Sequence, residues 1–116
     1  MSLESLIFDT LKDVCDSRVY PDFAPEETPR PYITYQQVGG DSLNFIKQSE
    51  PSMRSARVQF NVWADTRKDA SNLALQLEQA LRMNEALNTT VLGAPTSLVD
   101  DISKLRGTRQ DFTFWS

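Results

Sequence analysis

Histidine is missing from all 116 residues, and cysteine occurs once, at position 15. The first absence removes the commonest general base and the commonest metal ligand. The second leaves no partner for an internal disulfide, and a zinc site would have to be built mostly from carboxylates, an unusual ligand set. Glycine is sparse as well, with four in the chain. The adjacent pair Gly39-Gly40 lacks the lysine and the helix opening that a phosphate cradle requires. Ser42, beside Asp41, has no base to activate it. No stretch approaches the roughly 20 apolar residues of a membrane span, and the N-terminus has neither the basic segment nor the apolar run of a signal peptide. A soluble, intracellular protein is expected, with no membrane partner. Cys15 falls near the apolar side of a helix, where a buried, inert thiol is expected; a reactive or interface thiol is the alternative.

What is present is charge of both signs, unevenly placed. The net charge of −4 resides in residues 1–30. There Glu4, Asp9, Asp13, Asp16, Asp22, Glu26 and Glu27 face only Lys12, Arg18 and Arg30. Such a chain does not attract nucleic acid by bulk electrostatics, so no specific nucleic-acid partner is expected. A length of 116 residues fits one domain with a core that needs neither disulfide nor metal.

The clearest pattern lies between Ser55 and Met83. Val58, Phe60, Val62 and Ala64 alternate with Arg57, Gln59, Asn61 and Trp63, the period of a half-buried strand. Helical spacing then starts at Ala70 and continues through Leu73, Ala74, Leu77 and Leu81. Thr66 with Asp69 makes an acidic variant of the capping box. Upstream, Ser2 caps a first helix running to about Asp16, with Leu3, Leu6, Ile7, Leu11 and Val14 as its stripe and Phe8 off its centre. Prolines at 21, 25, 29 and 31 make residues 20–31 an extended connector without regular structure. A strand follows over Tyr32–Val38, ended or kinked by Gly39-Gly40. Two further strands, Leu98–Leu105 and Thr108–Trp115, are expected about a tight turn at Arg106-Gly107, with a short extended piece at Thr89–Leu92. The fold class is therefore α+β: a two-layer sandwich of two helices on an antiparallel, or mixed, four-stranded sheet, in the order α-β-β-α-β-β.

Candidate functional residues are interfacial. The long stretch between Val38 and Arg57 reads either as an extended hairpin or as an arm that docks Phe45 and Ile46 on a neighbouring molecule. Trp63 and Trp115 project from the sheet face away from the helices, unless the proline-rich connector folds over them. Leu75 stands off the helix stripe. Arg54, Arg57, Lys104, Arg106 and Arg109 cluster if the two hairpins are neighbours. Asp100 and Asp101 would diverge on a strand, which disfavours a metal site; they pair with cross-strand bases or meet a basic partner. No residue is assigned a catalytic role, and no cofactor is expected.

Taken together, Val38-Gly39-Gly40-Asp41-Ser42-Leu43, the strand Arg54–Ala64 with its Ala/Leu-rich helix, and the terminal Phe112-Thr113-Phe114-Trp115 resemble the siphophage and prophage tail-completion proteins. These are also called tail terminators or tail-to-head joining proteins. The resemblance spans residues 3–115 and implies a structural virion protein. Such a protein forms a ring, typically hexameric, that caps the head-proximal end of the tail tube. Its implied partners are copies of itself, the tail tube protein and the head connector protein. Its implied location is the virion tail, with the host cytoplasm during assembly. The competing expectation is a non-viral adaptor that binds a partner through its sheet edge or long hairpin.

Overall fold

The computed structural model describes residues 2–40 and 55–115. The order is α1 (Leu3–Leu11), β1 (Val19–Pro21), β2 (Tyr32–Gly40), β3 (Ser55–Ala64), α2 (Arg67–Met83), a 3-10 turn (Glu85–Leu87), β4 (Thr90–Val91), β5 (Thr96–Val99) and β6 (Arg106–Trp115). The class is α+β as expected, but the sheet has six strands, not four, and is mixed. β1 runs parallel to β2; β2, β3 and β6 are antiparallel neighbours; β4 and β5 pair with different halves of β6.

Both helix starts follow the sequence. The Ser2 hydroxyl accepts from the Ser5 amide and the Thr66 hydroxyl from the Asp69 amide, each satisfying an orphan donor of a first turn. The first helix is shorter than expected, ending at Leu11, and Asp16 and Ser17 lie beyond it at positive φ. α2 buries Ala70, Leu73, Ala74, Leu77 and Leu81, the stripe read from the spacing.

Val58, Phe60, Val62, Phe112 and Phe114 are all almost fully buried beneath the helices. Phe60 sits among Phe112 and Phe114, whose rings it meets edge-on at 5.5 and 6.1 Å between centroids. Polar ties then fix α1 to the sheet and to the end of α2. The Tyr35 hydroxyl donates to Glu4 of α1 at 3.2 Å. The Asn84 side-chain amide, just past α2, donates to the Thr10 hydroxyl of α1 at 2.8 Å.

Two expectations are corrected. The connector is not wholly irregular: its first two residues, Tyr20 and Pro21, join Val19 in β1, with Val19 buried opposite Ile33 and Tyr20 and Pro21 opposite Thr34 and Tyr35. The last hairpin does not turn at Arg106-Gly107, and its first strand is Thr96–Val99 rather than Leu98–Leu105. The reversal is built at Asp100–Leu105, where the Asp100 carboxylate accepts from the Ile102 amide and the Ser103 hydroxyl, and Lys104 takes the positive φ. Of the two outcomes expected at Gly39-Gly40, the kink is the one found: β2 continues to Gly40, with a bulge between Gln37 and Gly39.

Candidate functional site

The sheet face opposite the helices is assembled from alternate residues of β2, β3 and β6. Cross-strand register places Tyr32, Trp63, Gly107 and Leu98 in one row, Thr34, Asn61, Arg109 and Thr96 in a second, and Gln36, Gln59 and Asp111 in a third. Among the described residues no helix packs on this face. Its centre holds an ion pair: Arg57 Nη2 and Nε donate to Asp111 Oδ2 at 2.8 and 3.0 Å. The Asp111 side chain is largely buried and that of Arg57 half-exposed, so the pair orders the arginine more than it stabilises the fold. An open cavity of about 220 Å³ lies beside it, lined by Arg57, Gln59, Leu92, Thr96 and Arg109. The two arginines that the sequence singled out on these strands therefore border one concavity.

The tryptophans differ. Trp115 is 37% exposed at the end of β6. Trp63 is half-buried: its indole lies over Gly107, where an added Cβ would come within 2.8 Å of Cε3. Leu75 is 56% exposed on the far side of α2, remote from the sheet face. Asp100 and Asp101 sit in the β5–β6 turn. The cross-strand salt bridges expected of them are not found. Asp100 is committed to its own turn, and the hydrogen bonds from Ser103 and Ile102 hold its carboxyl below the usual range. Phe45, Ile46 and Arg54 lie outside the described residues. The chosen residues thus do not form one patch: Arg57, Trp63, Arg109 and Trp115 share the open face, while Leu75 and the two acids do not.

Two features escaped the sequence reading. Gln110, buried beside Phe112, donates from Nε2 to Glu78 of α2 at 2.9 Å and to the Gly93 carbonyl at 2.8 Å, clamping the β4–β5 loop to the helix. Its alternation with Phe112 placed it inward; what it would bond was not readable. The other is a cavity of about 330 Å³ between α1 and β2, lined by Leu3, Glu4, Ile7, Asp22, Gln37 and Val58 among others. Next to it Tyr35, buried and facing Glu4, has its phenol pushed up to about 12, first by desolvation and then by the carboxylate. The Cys15 thiol is buried, which raises its pKa, so it is a poor nucleophile at neutral pH. Among the described residues no three potential ligands converge on a metal position.

Compared with known proteins, residues 9–115 match the family model described as tail completion protein gp17. No curated protein matches the chain.

Proposed function

Because this chain belongs to the tail completion protein gp17 family and is thereby a structural protein of the phage tail, we propose that it acts as a ring subunit that caps the head-proximal end of the tail tube. One domain over residues 1–116 would be the building block. Its partners would be further copies assembled on the tube, together with the tail tube and head connector proteins.

The observation that carries this reading is the open sheet face. Three long strands present Arg57, Arg109, Trp63 and Trp115 there without a helix over them, an arrangement suited to contacting another protein. A ring needs two different patches on each subunit, and the molecule has distinct flanks to offer. Its acidic N-terminal segment, residues 1–30, would let DNA pass the lumen without adhering.

Purified tail tubes lacking the protein provide the test. Added protein should appear by negative-stain microscopy as a terminal ring and should stop further tube growth. Tubes that stay bare and keep elongating would refute the reading. Arg57→Ala with Arg109→Ala should leave the fold intact and weaken capping at least tenfold if the open face is used.

A further inference from the structure

Among the described residues the sheet has an unfinished edge on each flank. β1 covers only the first part of β2: its pairing ends at Pro21 opposite Tyr35, and the Asp22 amide makes the last bond to the Tyr35 carbonyl. Beyond that point Gln36–Gly40 have no strand on this side among the described residues, and all five are exposed. The Gly39 carbonyl accepts from the side chain of Gln37, at 3.3 Å. On the other flank, β5 pairs with β6 along one side and, among the described residues, has no strand along the other. Unpaired strand edges are templates for another chain.

The two edges are complementary. The vacant length of β2 is five residues and β5 has four, Thr96–Val99. Through the sequence β2, β3, β6, β5 the strands alternate in direction, so β5 of one copy approaching β2 of the next meets it antiparallel. β1 sets the end of the slot. Val99, 52% exposed, is paired with Arg106 and so lies on the helix-facing side of the sheet. Gln37, paired with Val58, lies on that side too and borders the 330 Å³ cavity over Leu3 and Ile7. The turn after Val99 and the start of β6 balance Asp100 and Asp101 with Lys104 and Arg106, so that end of β5 brings no net negative charge to a cavity rim that carries Glu4 and Asp22.

Resting on the ring reading, we propose that successive copies of this chain join by antiparallel pairing of β5 in one with Gln36–Gly40 of β2 in the next, with Val99 seated over the cavity between α1 and β2. The geometry closes. Placing Val99 opposite Gln37 offsets neighbouring copies by six rows, from the Ala64 row to the Val58 row, or about 20 Å along the strands at ~3.4 Å per residue. Four strands at ~4.8 Å separate them laterally by about 19 Å. The strands then tilt about 45° to the ring axis, at the upper end of the tilts found in closed barrels. A continuous sheet buries both free edges of every copy, which a ring does and a monomer does not.

Cysteine cross-linking tests this. In a Cys15→Ala background, Gln37→Cys with Val99→Cys is assembled on tail tubes and mildly oxidised. Directly opposed strand residues have Cα atoms about 4.5–5.5 Å apart, within disulfide reach. The expected result is a ladder of covalent oligomers on non-reducing gels, at least tenfold more abundant than with Leu75→Cys and Val99→Cys. Rings visible by microscopy with no excess over that control would overturn the edge pairing and leave the ring reading standing. Absence of rings would remove both. Val99→Asp, which sets an acid against Glu4 and Asp22, should lower assembly at least tenfold with an unchanged melting temperature; undiminished assembly would overturn the pairing independently.

Discussion

The indole of Trp63 occupies the space that a side chain at residue 107 would need. A Cβ built on Gly107 would come 2.8 and 2.9 Å from Trp63 Cε3 and Cζ3, and 2.5 Å from the Val62 carbonyl oxygen. Gly107 is directly opposite Trp63 across the β3–β6 ladder. The glycine therefore serves a close approach in mid-sheet, with an aromatic ring covering its bare backbone.

Gly107→Ala should consequently destabilise the protein by about 2 kcal/mol through overpacking. Thermal unfolding followed by circular dichroism should show the midpoint falling by about 8 °C. In a Trp63→Ala background the same change should cost less, because only the carbonyl contact remains.

Gln110→Ala should cost about 1–2 kcal/mol, since it strips a hydrogen bond from the partly exposed Glu78 carboxylate and from the Gly93 carbonyl, which water can in part replace. Urea unfolding of the variant should show the loss, with amide exchange accelerating first around Leu92–Pro95. An unchanged midpoint would mean that the clamp contributes nothing to stability.

Tyr35 gives a pH prediction. Its phenol titrates near 12 in the folded chain against about 10 when unfolded, because burial and Glu4 both disfavour the phenolate. Raised above its unfolded value, this group contributes stability that is fully present below pH 10 and is lost as pH rises through 12. The Tyr35 ring carbon resonance should report a midpoint near 12, and Glu4→Gln should move it down. A midpoint near 10 in the unsubstituted protein would contradict the buried contact.

Cys15 should resist a thiol reagent until the protein unfolds. With its thiol buried and its pKa raised, labelling in native buffer should proceed at the opening rate of the domain, and urea should accelerate it by orders of magnitude.

Much of the scaffold was legible. The period-two run through Val58, Phe60 and Val62 and the helical spacing from Ala70 to Leu81 are set by long amphipathic segments, where burial of one face decides the structure. The caps at Ser2 and Thr66 were legible because one side-chain oxygen suffices to define them. The errors fall where structure depends on a few residues. β1 is three residues ending in proline, too short for any periodicity. The last turn was assigned to a glycine because glycine favours positive φ, whereas the structure spends that conformation on Lys104 and uses Gly107 for space. Of the candidate interface, Arg57 and Arg109 were expected together only if the two hairpins are neighbours, a condition that the pairing of β3 with β6 meets. The unfinished edges were not legible, because an edge is a property of which strands are missing beside it.

The placement of β6 also governs when the domain can form. Residues 106–115 enter the sheet between β3 and the short pair β4 and β5, and supply Phe112 and Phe114 to the core. During synthesis the earlier strands therefore wait with apolar surface bare until Trp115 has cleared the ribosome. Pairing across so long an interval of chain is slow to nucleate. Control over the protein's abundance is thus coupled to how well nascent chains are shielded from one another in that interval.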